Sequence, residues 1–399
     1  MPATISTNVS TATDAQPVRL LTYQELDILH CLRGFCAFYV VVYHAKFILW
    51  AGGREYLNVF PRASWNIGQY LAFALDMLSS AGYEMVIFFF VLSGFFIRYA
   101  QLRKHRAPLA FYLNRIVRIY PPYLFSVLLA VGVLAGLAHF VPQMLTIANS
   151  RELNSALLEA WNALRHLDLV GAGRVLLFMP VQGHIFLGYN EVYWSLLPEA
   201  MFYALVPLAF WRIRAYYVVS LLLYLLGAVA ITQNYPLNDF TGFFASYNAY
   251  FALGAALHDV VVRTKWLERF RRVPGWLLWS SMLGLFAGLI GLAILKMRIL
   301  SGVDASLLAV LAVSALLAGR VSPRNWLLRI FHPIGIFSFS LYLYHFPLLL
   351  LCGGLLVALT GDLVFYTRYY WLAIPVVTLA CYALYWCTER VSINFFRKV

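Results

Sequence analysis

One apolar run near the N-terminus, LHCLRGFCAFYVVVYHAKFILW at 29–50, constrains this chain more than any other stretch. It is long enough to cross a hydrocarbon core of roughly 30 Å as a helix. A helix there must satisfy its own backbone polar groups, because lipid offers none. Yet the run carries Arg33, His44 and Lys46. A charged side chain at mid-bilayer costs about 2.5–3.5 kcal/mol on insertion scales. Arg33 and His44 stand 11 residues apart. At about 100° and 1.5 Å per residue, that is about three turns plus 20°, and about 16 Å along the axis. Both side chains therefore share one face. A cation and a titratable imidazole on one buried stripe point to a lined cavity. A helix end with a snorkelling Arg33 and a hydrogen-bonded His44 fits the same residues.

The remainder of the 399 residues resembles this run: 62% are hydrophobic and only 12% charged, against about 25% charged in a soluble domain. Apolar spans recur at 29–50, 78–99, 121–141, 192–212, 215–232, 241–259, 276–295, 302–319, 334–357 and 370–388. The expected fold is an all-α polytopic membrane protein of about ten transmembrane helices. The net charge of +13 does not indicate nucleic acid, since the basic residues sit in short runs between the spans. With both termini cytoplasmic, 20 basic residues fall on inner segments and 8 on outer ones, Arg33 and Lys46 lying within the first span. That imbalance is the positive-inside pattern and predicts the orientation. The expected organisation is a disordered cytoplasmic tail at 1–24, a membrane domain at 25–392 and a short cytoplasmic tail at 393–399. The polar start lacks the charged and apolar regions of a signal peptide. Eleven residues remain from Glu389 onward, so no catalytic module is expected there. Cys31, Cys36, Cys352, Cys381 and Cys387 all lie in apolar stretches and give neither a disulfide framework nor a metal spacing. The outer connection 142–190 is the longest; its piece VLLFMPVQGHIFLG is too interrupted to span and is placed at the interface or as a re-entrant segment.

Several polar residues interrupt these spans. Glu199 sits in VYWSLLPEAMFYALVPL beside Trp194, Pro198 and Tyr203, with a helix bend expected at Pro198. An intramembrane carboxylate is a functional candidate, and a structural ion pair with Arg33 is the alternative. Glu84 precedes IFFFVLSGFFIR, where Ser93 and Gly94 allow close approach of a ligand or of another helix. His345 lies in SFSLYLYHFPLLL with Tyr342 and Tyr344, as a binding residue or a satisfied core histidine. Arg115 and Arg118, in NRIVRIYPP, are three apart and so adjacent on a helix surface. Two guanidinium forks suit a phosphate or pyrophosphate, though orientation alone would also put arginine there. Pro121 and Pro122 are read as the start of the third span.

In combination these motifs resemble the acyltransferase-3 family of membrane acyltransferases. The resemblance rests on Arg33 and His44 with ten residues between, FFFVLSGFFI at 88–97, NRIVRIYP at 114–121, YWSLLPEAMFY at 193–203, SLYLYHFP at 340–347 and the terminal Glu389-Arg390. They come in the family's order from about residue 25 to 392. Two departures stand out: Val391 follows Glu389-Arg390 where proline is common, and the esterase-like domain of some relatives is lacking. The resemblance implies a ten-helix fold and transfer of an acyl group, usually acetyl, from cytoplasmic acyl-CoA to a hydroxyl of a glycan or lipid-linked acceptor. It makes His44 the catalytic histidine, with Arg33 in the same site, and puts Arg115 and Arg118 at the nucleotide end. No permanently bound cofactor or metal is implied, and the expected setting is the plasma (inner) membrane.

A mechanism consistent with these residues uses His44 as general base on the acceptor hydroxyl, with Glu199 to orient it or balance its charge. Arg115 and Arg118, helped by Arg103, Lys104 and Arg106, would grip the CoA phosphates. The pantetheine arm would pass Ser93 and Gly94, with Gly94 giving clearance. His345, Trp194 and Tyr344 are assigned to the acceptor. Direct attack is expected, with an acyl-His44 or acyl-Cys36 intermediate as the alternative. A transporter or flippase with an Arg/His/Glu relay is the competing reading. It predicts inverted repeats, which the sequence lacks, and gives Arg115 and Arg118 no reason.

The orientation can be checked directly. Single cysteines at positions 104 and 269 should resist a membrane-impermeant reagent in intact cells, and one at 165 should react. Labelling at 104 would reverse the topology.

Overall fold

The structure, a computed structural model, describes residues 21–104, 107–146, 152–322 and 324–397, except the side chains of residues 104, 239 and 395–397. The tail at 1–20, and His105, Arg106 and Arg151, lie outside the described residues. The described chain is helical, with one isolated bridge between Gln182 and Ile185. Ten helices correspond to the ten expected spans. They are α1 (His30–Leu49), α2 (Gly82–Lys104), α3 (Pro108–Phe140), α4 (Leu196–Trp211), α5 (Ile213–Thr232), α6 (Asn248–Arg263), α7 (Gly275–Ile294), α8 (Arg298–Leu317), α9 (Ser338–Thr360) and α10 (Tyr370–Cys387). Among the described residues, nine stretches are long and apolar enough to cross a membrane. The exception is α6, 16 residues on its own, which continues back through a π turn at Phe243–Tyr247 and a helical turn at Asp239–Gly242.

Several boundaries differ from expectation. The first described helix, Tyr23–Asp27, begins inside the expected tail because Thr22 and Glu25 form a capping box. At the other end a helix runs Glu389–Arg397, past residue 392. Pro121 and Pro122 do not begin a helix; α3 starts at Pro108 and runs through both. The first of them frees the Val117 carbonyl, which accepts a hydrogen bond from Ser392 Oγ at 2.5 Å. Nor does Pro198 sit where a helix interior would bend. It lies in the first turn of α4, where its missing N–H would have had no helical partner.

The core is drawn from α1, α2, α3, α6, α8 and α9, while α5, α7 and the span containing α10 bury only 11%, 17% and 17% of their lengths and lie at the periphery. Glycine sets the closest approaches. A Cβ on Gly94 would stand 2.0 Å from the Phe251 carbonyl oxygen, and one on Gly254 would stand 1.9 Å from that of Val91. The pair lets α2 and α6 touch backbone to backbone, in the manner of small-residue interfaces in membranes. Gly34 and Gly335 do the same where α1 crosses the short helix Trp326–Ile336.

These contacts have no room to relax. Gly254→Ala should lose most of the monodisperse protein in detergent, because one methyl group forces two backbones apart. Gly132→Ala, with nothing within 4 Å of its Cβ position, should elute like the parent. Equal size-exclusion profiles would refute the tight α2–α6 packing.

Candidate functional site

α1 and α9 lie side by side, and their contact brings two histidines together. His44 Nδ1 is 2.9 Å from His345 Nε2. The rings stand 5.2 Å apart between centroids. His345 Nδ1 in turn lies 2.9 Å from the Leu341 carbonyl oxygen, one turn back on α9. Tyr43 and Phe346 meet the His44 ring edge-on at 5.2 and 5.1 Å. His345 is fully buried and His44 is 9% exposed.

Proline explains how α9 is held in register. Pro347 has no N–H, so the Leu343 carbonyl loses its helical donor. A buried carbonyl left that way costs about 1–3 kcal/mol. Here Ser126 Oγ on α3 and Asn190 Nδ2 both donate to it at 2.9 Å. Tyr193 Oη backs Ser126 at 2.7 Å. One residue earlier, Tyr342 Oη lies 2.8 Å from Ser195 Oγ and donates to the Val192 carbonyl at 3.1 Å. One residue later, Tyr344 Oη turns away toward Thr388 Oγ1 at 2.8 Å and the Pro122 carbonyl at 3.2 Å. Tyr344, assigned from sequence to the acceptor, thus joins α9 to α3 and the C-terminal end of α10.

A cavity of about 110 Å³ is lined by Arg33, Ser93, Arg115, Arg118, Glu199 and Tyr342, among others, but by neither histidine of the pair. Phe89, Ser195 and Tyr342 line it away from the residues it shares with a neighbouring vestibule. The Tyr342 ring centroid is 6.2 Å from that of His345. At the other end Arg115 and Arg118 also line a wider vestibule of about 840 Å³, with Asp27, His30, Glu389 and Arg390. Arg115 lies over the Phe111 and Tyr203 rings at 5.8 and 5.5 Å and donates to Asn114 Oδ1 at 2.9 Å. Arg33 and Arg118 make no hydrogen bond or ion pair with any described residue, and Arg33 Nε is a buried donor without an acceptor. Glu389 caps the start of α9, accepting from Ser340 Oγ at 2.7 Å and Ser340 N at 3.2 Å.

The structure divides the residues picked out by sequence. Arg33, Ser93, Arg115, Arg118 and Glu199 share the cavity. Glu199 accepts from Tyr203 Oη and, at 3.4 Å, from Ser93 Oγ. Its carboxylate makes no contact with His44; the neighbour of His44 is His345. Gly94 faces α6, so its clearance is taken by the Phe251 backbone. Trp194 stacks on Tyr83 at 5.5 Å on another flank. Arg103 folds back onto Tyr99 and lines neither cavity. Glu84 is buried and lines neither cavity. Cys36 is buried in the core. Among the described residues no group of three or more His, Cys, Asp or Glu is arranged to hold a metal. Sequence reasoning passed over Ser126 and Asn190, although Pro347 four residues after Leu343 signals a carbonyl in need of a donor.

Residues 26–386 match the model of the acyltransferase-3 family, described as Acyltransferase domain. Comparison with curated proteins and with solved structures gave no match.

Ser126→Ala and Asn190→Ala each leave Leu343 one donor and should lower stability by about 1 kcal/mol. The double variant strands the carbonyl and should lose more than the sum. Thermal unfolding in detergent measures this; strict additivity would show that the two donors do not share one acceptor.

Proposed function

Because the chain belongs to the acyltransferase-3 family and is a multi-pass membrane protein, we propose that it transfers an acyl group, acetyl first of all, from cytoplasmic acyl-CoA to a hydroxyl of a glycan or lipid-linked acceptor at the outer face of the inner membrane. The observation that carries this reading is the pair of guanidinium groups, Arg33 and Arg118, which line a cavity and have no hydrogen-bond or ion-pair partner among the described residues. Open cationic donors beside low-dielectric walls call for an anion, and charge-assisted bonds to phosphate oxygens are the strongest they can make.

In this reading the phosphates of the donor rest in the vestibule on Arg115 and Arg118. The pantetheine arm lies in the cavity past Ser93, and the thioester reaches the end by Tyr342. His44 Nε2 takes the proton of the acceptor hydroxyl as its oxygen bonds to the acyl carbon. The carbon–sulfur bond breaks, and the proton passes from His44 to the departing thiolate. Arg33 stays on the donor side, being about 16 Å along α1 from His44. Glu199 and Tyr203 hold the wall between these ends, and Trp194 belongs to the acceptor side.

The test is acyl transfer and acetyl-CoA binding by purified protein in nanodiscs, with membrane glycan extract as acceptor. His44→Ala should cut transfer by roughly 10²–10⁴-fold and leave acetyl-CoA binding intact. Near-normal turnover would remove His44 from the base role. Replacing Arg115 and Arg118 together with lysine keeps the charge and loses the planar fork, so acetyl-CoA binding should weaken while membrane insertion is unchanged. Unchanged affinity would return both arginines to setting orientation.

A further inference from the structure

We propose that His345 is a positioning residue that fixes the tautomer of His44 and shares the proton His44 takes up, which rests on the reading of His44 as base. The argument begins with the atoms. A contact of 2.9 Å between two ring nitrogens needs one N–H and one lone pair; two N–H groups, or two lone pairs, would repel. The choice is fixed from the far side. His345 Nδ1 is 2.9 Å from the Leu341 carbonyl oxygen, and a carbonyl only accepts. His345 Nδ1 therefore carries hydrogen, and in the neutral ring Nε2 is the acceptor. The hydrogen between the rings then belongs to His44 Nδ1. One tautomer of His44 satisfies every partner, and it leaves the Nε2 lone pair as its free basic site.

The same chain has a second consequence. When His44 takes a proton at Nε2, the hydrogen on Nδ1 can move along the hydrogen bond to His345 Nε2. The positive charge is then spread over two rings, with Leu341 O as the final acceptor. In the familiar serine-hydrolase arrangement a carboxylate stabilises the imidazolium. Here carboxylates stand one ring away or further. Glu191, Glu84 and Glu152, together with the cation Arg298, act on Tyr43 of α1, and Glu199 acts on Tyr342 of α9. The groups meeting the pair from its other neighbours are Phe346 on α9 and, behind it, Tyr189 from the outer connection. A buried imidazolium with no counter-charge in contact is costly, and a second imidazole is a partner that can lower that cost without itself being charged at rest. The step is balanced: the acceptor O–H bond breaks, one proton resides on the pair, and it leaves to the thiolate.

Solid-state NMR of the whole chain in lipid bilayers, with ring-¹⁵N histidine, reads this without any acceptor. His44 and His345 are assigned by the signals lost in His44→Gln and His345→Gln. In the parent protein His44 should carry hydrogen on Nδ1, and both rings should respond to the same first protonation step, whose midpoint belongs to the pair. His345→Gln offers an amide oxygen near the position of Nε2 but no basic nitrogen. There the His44 tautomer should persist, and its midpoint should fall by about one pH unit or more. Release of thiol from acetyl-CoA, with water as acceptor, should lose about tenfold in kcat at unchanged KM, and its acidic limb should move with the NMR midpoint. An Nε2–H tautomer for His44, or a midpoint indifferent to His345→Gln, would overturn the proposal. A protein that releases no thiol at all would count against acetyl-CoA as donor, and the ring shifts would decide the histidine pair regardless.

Discussion

A single carbonyl group, that of Leu343, organises the centre of this protein. Pro347 removes its helical donor, and lipid supplies no replacement. Ser126 and Asn190 therefore have to come from α3 and the outer connection to reach it. That requirement fixes the rotation of α9. With α9 fixed, Tyr342 meets Ser195, Tyr344 meets Thr388, and His345 faces α1. The polar groups lie on three sides of one helix, and each is satisfied by a different neighbour. A small rotation would strand several of them at once, which is why the arrangement has one solution.

Glycine supplies the complementary constraint. The reciprocal contacts of Gly94 and Gly254, and of Gly34 and Gly335, leave no space for a methyl group. They hold α2 against α6, and α1 against the short helix before α9. Between these two tight seams lies the cavity bounded by Arg33, Glu199 and Tyr342. Rigid walls suit a cavity with arginine in it, because a collapsing wall would press apolar side chains onto charged guanidinium groups. The peripheral helices α5 and α7 carry no such demand, and their exposed leucines and valines need only lipid.

Much of the site was legible as a set of residues and little of it as an arrangement. Arg33, His44, Glu199 and His345 stand out in the sequence because a polar group in an apolar span is expensive. Helical periodicity also put Arg115 beside Arg118. Which group serves His44 was not legible. Glu199 was the reasonable choice on charge, yet it bonds to Tyr203 and Ser93, while His345 bonds to His44 across 301 residues of chain. Gly94 illustrates the same limit: the need for clearance was visible, the occupant was not.

Composition and periodicity alone determined that this chain is an all-α membrane protein with about ten spans, since hydrophobicity over some twenty residues is a local property of a helix. They determined as well which few residues would resist burial, and the bias of basic residues that sets an expected orientation. The tertiary structure decided the partners. Helices pack in lipid through small residues and scattered hydrogen bonds, with no strong apolar pattern to give away the contacting faces. The mean character of α9 is apolar on every side, so nothing local to it distinguishes the face of His345 from that of Tyr344. Only the placement of Ser126, Asn190, Thr388 and His44 around it does.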